Sequence, residues 1–83
     1  MSLLVIIPCF NEGLSVAKTI RSIAAVKPDA VIVVVDNAST DDTAAKAKSL
    51  GATVLTEPRP GKGFAFRRGL TALHPGVTSV LMV

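Results

Sequence analysis

Apolar residues concentrate in four short runs along the chain, and polar or mixed segments separate them. The first two runs, Leu3–Ile7 and Val31–Val35, show no polar alternation, which is typical of parallel strands covered on both faces. Pro8 follows the first run, and because proline cannot donate to a sheet ladder we predict that this strand ends there. The other two predicted strands are Ala52–Thr56 and Val77–Val83.

Helical periodicity fills the segments between these runs. Val16, Ile20, Ile23 and Ala24 recur at the spacing of one helical face, which predicts a first helix packed on one side. The KPDA segment that follows ends this helix, because proline disrupts helical hydrogen bonding.

Two further helices are predicted downstream. One spans roughly Thr40–Leu50, since Ser39 and Asp42 have the spacing of a capping box and Gly51 occupies a stop position. The other begins at about Gly63, after the loop EPRPGKG, and ends at the segment HPG. Three apolar residues share one face of this last helix, namely Phe66, Leu70 and Leu73.

This alternation of strand and helix predicts βαβ units joined by right-handed crossovers. We therefore expect an α/β fold with a mostly parallel sheet of about four strands and helices on both faces. Neither a linker, nor a repeat, nor a low-complexity tract divides the sequence, so residues 1–83 are predicted to form a single domain.

Composition narrows the classes of protein that fit. Hydrophobic residues make up 49% of the chain and charged residues 18%, which excludes a disordered chain and leaves apolar surface for a partner. The net charge of +3 suits an anionic ligand but is too small and too scattered for a nucleic-acid-binding surface. Cys9 is the single cysteine, so the chain has no internal disulfide, and Leu3–Ile7 is too short to span a bilayer. We expect a cytoplasmic protein without a membrane segment.

Polar clusters follow three of the predicted strands. Ligands of open parallel sheets bind beyond the carboxyl ends of the strands, so PCFNE, DNASTDD and EPRPGKG should meet at one edge. There the carboxylates of Glu12 and Asp36 would accept hydrogen bonds from a nucleobase and a ribose, and Lys62 with the nearby arginines would hold a diphosphate. Gly61 and Gly63 would let the backbone and a helix N-terminus approach that anion.

A structural interpretation competes for several of the same residues. Ser39 and Asp42 would cap the second helix and Asn11 the first, and capping is the preferred interpretation for these three. Asp36 precedes any predicted helix, so a ligand role is preferred for it. For Lys62 both interpretations stay open, because PGKG also has the composition of an ordinary turn.

Other kinds of site fit less well. The first strand is not followed by GxGxxG, and PGKG lacks the spacing and the Ser or Thr of a P-loop. One His and one Cys supply neither a zinc-ligand set nor a hydrolase triad, and His74 is predicted in a surface turn. A flavodoxin-like or receiver-type domain, with Asp36 as phosphoacceptor, is a weaker alternative.

The segments VIIPCFNE, VIVVVDNASTDDT and GKGFAFRRG, in this order, resemble the N-terminal half of family 2 glycosyltransferases. These are inverting enzymes with the Rossmann-like GT-A fold, and they include the polyprenyl-phosphate mannosyl- and glucosyltransferases. The resemblance extends from about Leu3 to Val83, and it implies a UDP- or GDP-sugar donor.

The resemblance also implies a nucleotide site built from all three loops. The first loop would line the base and ribose, Asp36 would hold the base edge, and Lys62 with a following arginine would steady the phosphates. Family members often have a second aspartate where this chain has Asn37. The implied nucleotide-binding residues are Pro8, Phe10, Asn11, Glu12, Asp36, Asn37, Ser39, Gly61, Lys62, Gly63, Arg67 and Arg68.

In the family, the fourth strand leads into an acidic DxD-type motif that binds a divalent metal, Mg²⁺ or Mn²⁺, and the catalytic base lies beyond it. The sequence stops at Val83, before these parts, so we assign it no catalytic or metal-binding residue. We therefore expect the nucleotide-sugar-binding portion of an inverting glycosyltransferase, incomplete for catalysis alone. Its fourth strand would present apolar surface for self-association or for the missing half. The alternative is a non-catalytic α/β interaction or assembly module that retains the same framework.

Overall fold

Strands and helices alternate along the chain in the predicted order. The computed structural model describes residues 2–83, and the prediction of an α/β fold with helices on both faces of a parallel sheet is confirmed. The elements within residues 2–83 are β1 (Ser2–Cys9), α1 (Val16–Val26), β2 (Val31–Asp36), α2 (Thr43–Ser49), β3 (Thr53–Thr56), α3 (Lys62–Gly69), a 3-10 helix (Leu70–Ala72) and β4 (Val77–Met82).

The four strands form one parallel sheet in the order β3-β2-β1-β4. The connections run from β1 to β2 to β3 in one direction and then return to β4 on the other side of β1. The strand order therefore reverses between β1 and β4, which is where open parallel sheets commonly bind their ligands.

Pro8 lies inside β1, so the prediction that this strand ends at Pro8 is wrong. Pro8 pairs opposite Val35, and the pairing with β2 continues for one more residue. The Ile6 carbonyl accepts the Val83 N–H, so the backbone polar groups of Ile6, and of Pro8 two residues later, face the β4 side. The β4 ladder ends at the pair of Ile6 and Met82, so the missing Pro8 N–H removes no ladder bond.

Helices cover both faces of β1 and β2, which explains why their sequences lack polar alternation. On one face, α1 and α2 pack over buried side chains that include Val5 and Ile7. On the other, α3 packs over Leu4 and Ile6, with Ala65 of the helix fully buried against them. Successive residues of a strand point to opposite faces, so each apolar residue of β1 enters one of the two cores.

The last helix approaches the sheet closely. A Cβ atom at Gly69 would lie only 2.6 Å from Cγ2 of Ile6, so α3 packs against β1 through a residue without a side chain. Phe66 and Leu70 pack on this core as predicted, whereas Leu73 lies beyond the 3-10 helix and is about half exposed.

The edge strand β4 differs from its neighbours because its second half is bare. Val80 and Leu81 are 40% and 51% exposed, and consecutive strand residues point to opposite faces. Within residues 2–83, therefore, neither face of this part of β4 is fully covered. A groove of about 290 Å³ lined by Leu81, Ile23 and Val26, among others, runs between β4 and α1. The predicted apolar surface on the fourth strand is present.

Candidate functional site

A cavity of about 520 Å³ opens at the carboxyl ends of β1, β2 and β3. The loops that follow these three strands all contribute to its wall, as the strand order predicts. Carbon atoms dominate the wall, and Glu12 and Lys62 supply its charged groups. The lining residues are Pro8, Cys9, Phe10, Glu12, Asn37, Ala38, Pro58, Pro60, Gly61 and Lys62.

A second cavity, of about 200 Å³, lies on the side of β1 where the strand order reverses. It reaches Thr19 of α1 and Val83 after β4, and it shares Glu12 and Lys62 with the larger cavity. These two oppositely charged residues therefore border both cavities, at the edge that the sequence analysis identified.

The twelve predicted nucleotide-binding residues divide into two equal groups. Phe10 is 60% exposed and presents its ring at the cavity wall. The residues that line the larger cavity are Pro8, Phe10, Glu12, Asn37, Gly61 and Lys62. The residues that line neither cavity are Asn11, Asp36, Ser39, Gly63, Arg67 and Arg68.

Asn11 binds the loop after β2. Its backbone N–H donates to Ser39 Oγ at 2.8 Å, and its Oδ1 accepts the Thr40 N–H at 2.8 Å. Asn11 has a φ of 50°, a left-handed conformation that asparagine adopts more readily than most residues. These reciprocal bonds occupy the polar groups of Asn11 and Ser39 that the sequence analysis considered for a ligand or a cap.

The capping predictions are wrong for Ser39 and Asn11, whereas the N-cap position predicted for Asp42 is confirmed. Asp42, not Ser39, is the N-cap of α2, and α2 begins at Thr43, three residues later than predicted. The N-cap of α1 is Ser15 rather than Asn11, and neither cap makes a side-chain hydrogen bond. The polar side chains bind across the two loops instead, over sequence separations of 28 residues or more.

The next two residues of the same loop are held in the same way. The Glu12 N–H donates to Thr43 Oγ1 at 3.0 Å, and the Gly13 N–H donates to Asp41 Oδ2 at 3.0 Å. The other oxygen of Asp41 accepts the hydroxyl of Thr43, and this bond is the main cause that lowers the pKa of the Asp41 carboxyl. Lys46 adds a bond from its Nζ to the Gly13 carbonyl at 2.8 Å. We call the contacts of residues 11–13 with residues 39–46 the loop clasp.

Asp36 lies at the end of β2 and is buried behind the cavity wall. Its Oδ1 accepts the Ser39 N–H at 3.1 Å, and its carbonyl accepts the Glu57 N–H at 2.9 Å. The bond to Ser39 closes a turn in which Ala38 has a φ of 60°. The Asp36 carboxylate thus has a partner within the fold, and it supports the segment that carries Asn37 to the cavity.

Glu57 is a buried carboxylate that the sequence analysis left unassigned. It accepts three hydrogen bonds from Arg59, from the backbone N–H at 3.0 Å, Nε at 2.9 Å and Nη2 at 3.1 Å, and a fourth from Arg68 Nε at 3.4 Å. These bonds, led by those from the Arg59 side chain, lower the pKa of Glu57 to about 2. The signal in the sequence is Glu57 two residues before Arg59 in a loop otherwise built of Pro and Gly.

The same loop receives two bonds from Asn37. Its Nδ2 donates to the Glu57 carbonyl at 3.0 Å and to the Arg59 carbonyl at 2.8 Å. Arg59 also stacks on Phe64, with the guanidinium carbon 4.4 Å from the ring centre. A carboxylate at position 37 could make neither bond to the carbonyls, so the amide here serves the loop. We call residues 57–61 and these contacts the Glu57 loop.

These pairings decide which cation can reach a ligand. Glu57 holds Arg59 and Arg68, and Arg67 lines neither cavity. Lys62, one residue after the N-cap of α3, is the cation that lines both.

Cys9 contributes a buried thiol to the cavity wall. Burial is the main cause that raises its pKa to about 12, and the negative charges of Glu12 and Asp36 add to the effect. The thiol is therefore protonated at neutral pH, which makes it a poor nucleophile.

Residues 2–83 contain neither a membrane-spanning helix nor a metal-ligand cluster. None of the helices in this range has the length and apolar character needed to cross a membrane. The same residues contain no group of three or more His, Cys, Asp and Glu side chains arranged to hold a metal ion.

The fold and cavity define a parallel α/β domain with its ligand site at the carboxyl edge of the sheet. The sequence pattern of Glycosyl transferase family 2 matches residues 4–74. The chain belongs to this family, and the resemblance stated from its three loop motifs is confirmed.

Relatives of known sequence are considerably longer than this chain. Protein RfbJ of Shigella flexneri is 50% identical over 64 residues, which cover 77% of this chain and 50% of RfbJ. The uncharacterized glycosyltransferase Rv0539 of Mycobacterium tuberculosis is 42% identical over 77 residues, which cover 93% of this chain and 34% of that protein. The chain therefore spans half or less of the length of these relatives.

The fold is similar to that of a solved glycosyltransferase. The crystal structure of glucosyl-3-phosphoglycerate synthase from Mycobacterium tuberculosis in complex with Mn²⁺, UDP and glucosyl-3-phosphoglycerate matches with a TM-score of 0.80 and 31% identity. The match covers 99% of this chain and 32% of that one. A structure of the same enzyme with UDP matches with a TM-score of 0.75 and 33% identity over 88% of this chain and 30% of that one.

Proposed function

We propose that this chain binds the nucleotide part of a UDP- or GDP-sugar, as the donor-binding portion of an inverting glycosyltransferase. The observation that carries the proposal is the position of Glu12 and Lys62, which border one cavity with an apolar wall at the carboxyl edge of the sheet. Membership of glycosyl transferase family 2 and the UDP complexes of the similar synthase support the same ligand class.

Each part of the cavity suits one part of a nucleoside diphosphate. Phe10, which is exposed, and Pro58 and Pro60 line the same cavity and offer apolar surface for a base. The Glu12 carboxylate is an acceptor for ribose hydroxyls. Lys62 supplies a positive charge for the diphosphate. Gly61 has no side chain, so the diphosphate can approach the backbone there closely. Asp36 and Asn11 act from behind this surface, through the bonds that shape the loops.

The resemblance also implies a divalent metal, and the described residues do not fit one. Residues 2–83 provide no cluster of metal-ligating side chains, so we derive no step through a metal and propose no catalytic residue. The proposed contribution of this segment is donor binding. The cytoplasm remains the predicted location, on the basis of the single unpaired cysteine.

Isothermal titration of the chain with UDP and with GDP, each with and without Mn²⁺, tests the proposal. We expect binding without metal, and a loss of about tenfold or more in affinity for Lys62→Ala, because a charge-assisted contact contributes about 1.5–3 kcal/mol. Lys48→Ala removes an exposed lysine of α2 and serves as the matched control. No heat with either nucleotide, under either condition, would reject the proposal in favour of the assembly module.

We also propose that the bare half of β4 is an association surface, for a second copy of the chain or for further residues of a longer protein. Its exposed apolar residues include Val80, Leu81 and Val83. Light scattering across a concentration series should show association of the wild type that Leu81→Lys weakens. Leu14→Lys is the control, since Leu14 is 99% exposed in the β1–α1 loop and does not line the groove beside β4. Equal association of both variants would exclude the β4 surface.

A further inference from the structure

The backbone of the β1–α1 loop is held by side chains of a different loop. Three consecutive N–H groups, of residues 11, 12 and 13, donate to the side chains of Ser39, Thr43 and Asp41. Glu12 is the middle residue of this series, and its side chain borders both cavities. The contacts that fix the Glu12 backbone therefore decide where its carboxylate can reach.

Glu12 is fixed through both of its backbone polar groups, the N–H and the carbonyl. Its N–H binds Thr43 Oγ1, and its carbonyl accepts the N–H groups of Ser15 at 3.0 Å and Val16 at 2.8 Å, at the start of α1. The carbonyl bonds belong to the first turn of the helix and would form in any sequence that starts a helix here. The bond to Thr43 is the one that depends on a specific side chain.

The hydroxyl of Thr43 is buried and held in one orientation by two hydrogen bonds. It is fully buried at the first position of α2, and its hydroxyl both accepts from Glu12 and donates to Asp41 Oδ1. Because the Thr43 hydroxyl donates its hydrogen bond to Asp41 Oδ1, a lone pair of Oγ1 is left to accept the Glu12 N–H. Asp41 uses its second oxygen for the Gly13 N–H, so one carboxylate orients both contacts.

The space around Gly13 agrees with this arrangement. A Cβ atom there would lie 2.2 Å from Asp42 Oδ1 and 2.9 Å from Asp41 Oδ2. The carboxylates can approach the loop this closely only because the residue after Glu12 lacks a side chain.

We propose that Thr43, oriented by Asp41, is a positioning residue for Glu12 in nucleotide binding. This inference rests on the proposed function, and it assigns to the β2–α2 loop an indirect part in binding. Thr43 touches neither cavity, and it acts on the ligand through the Glu12 backbone.

A double-mutant cycle separates positioning from general stabilisation. UDP affinity is measured for the wild type, Thr43→Val, Glu12→Ala and the double variant. We expect Thr43→Val to weaken UDP binding by about tenfold, in line with the loss of one buried hydrogen bond. In the Glu12→Ala background the same substitution should change affinity by less than about twofold, because no side-chain acceptor oxygen is left at position 12 to be positioned. An equal loss in both backgrounds would overturn the inference and leave Thr43 a purely structural residue.

Three further variants serve as a rescue, a control and a second test of the same contact. Thr43→Ser keeps the hydroxyl and should restore most of the affinity. Thr53→Val removes a hydroxyl from an exposed position of β3 and should leave affinity unchanged. Asp41→Asn lies in an exposed loop, so it tests the same contact even if Thr43→Val does not fold, and it should weaken UDP binding in the wild-type background only.

Amide hydrogen exchange of Glu12 supplies a readout that needs no nucleotide. The exchange should become faster in Thr43→Val and stay slow in Thr43→Ser. Unchanged Glu12 exchange in Thr43→Val would reject the inference alone. Absence of UDP and GDP binding by the wild type would reject the proposed function as well, so the two failures are distinguishable.

Discussion

The two loops that flank the cavity are held in opposite ways. In the loop clasp, successive backbone N–H groups each find a different side chain, so the contacts are spread over Ser39, Thr43 and Asp41. In the Glu57 loop, one buried carboxylate collects four hydrogen bonds from Arg59 and Arg68. The wall of one cavity is thus fixed by distributed contacts on one side and by concentrated contacts on the other. A single substitution should remove one contact of the first, whereas a substitution of Glu57 weakens four contacts of the second at once and leaves the two bonds from Asn37.

The largest effect is therefore expected for Glu57→Gln. The substitution keeps the shape of the side chain but removes the charge of the buried Glu57 carboxylate, which two partly exposed arginines share, and it turns an amide donor toward their N–H groups. We expect the greatest loss of stability among the variants discussed here, measured by urea unfolding at pH 7, together with weaker UDP binding. Asp29→Asn, which neutralises an exposed carboxylate in the α1–β2 turn, is the control. Equal unfolding midpoints for the two variants would refute the concentrated-contact account.

Acid titration tests the same loop without a mutation. The pKa of Glu57 is about 2 in the fold and 4.5 in the ordinary state, so its contribution to stability is complete above pH 4.5. This contribution should be lost as the pH falls from about 4.5 to about 2, because the unfolded chain binds the proton first. Wild-type stability should drop in this window, and the difference from Glu57→Gln should shrink as both carry a neutral group. A constant difference across the window would show that ionisation of Glu57 is not the cause.

Asn37→Asp is expected to cost about 1–3 kcal/mol at pH 7, because carboxylate oxygens would replace a donor facing two carbonyls. The measurement is again urea unfolding. The cost should fall at lower pH, because a protonated carboxyl can donate to one of the carbonyls. Stability equal to that of the wild type at pH 7 would mean that the amide is not the tie between β2 and the Glu57 loop.

Gly13→Ala should cost about 1 kcal/mol, the value of one hydrogen bond, since the Asp41 and Asp42 carboxylates must move away from the new methyl group. The remaining contacts of the loop clasp should persist, which amide exchange of Asn11 can establish. Gly63→Ala is a matched control, because a Cβ there meets nothing within 4 Å inside α3 and should be neutral or slightly stabilising. A Gly13→Ala loss as large as that of Glu57→Gln would erase the contrast between the loops.

The smallest effect is expected for Asp42→Asn. Asp42 pairs with Lys46 at 3.4 Å one helical turn later, and both side chains are well exposed. Such surface pairs contribute about 0.3–0.5 kcal/mol and are screened by salt. Unfolding measured at low and high salt should show a small difference that vanishes with added salt. A larger loss of stability that does not depend on salt would mean that Asp42 is one of the contacts that stabilise the loop clasp.

The sequence was sufficient for the fold because its signals are local or periodic. The uninterrupted apolar runs of β1 and β2 predict strands with two covered faces, and both core clusters confirm it. The rule that ligand loops follow parallel strands predicts that Glu12 and Lys62 meet at one edge of the sheet, and both line the cavity there.

The partners of the polar residues could not be read in the same way. Ser39 and Asp42 match a capping box by spacing alone, yet Ser39 binds Asn11, 28 residues away. A hydroxyl or carboxylate satisfies whichever donor the folded chain brings near it, and local spacing does not encode that choice. For Glu57 only the weaker contact, with Arg68 on α3, depends on the tertiary fold, because Arg59 lies two residues away in the same loop and was a signal in the sequence.

The thiol of Cys9 gives the molecule an internal reporter. Only 2% of the residue is exposed, and the high pKa of the thiol keeps it from ionising in the native state. Alkylating reagents should therefore react mainly when the carboxyl end of β1 opens transiently, so the labelling rate measures how often this end of the sheet opens at the cavity. A nucleotide that binds between the loops at this edge should slow the alkylation of Cys9.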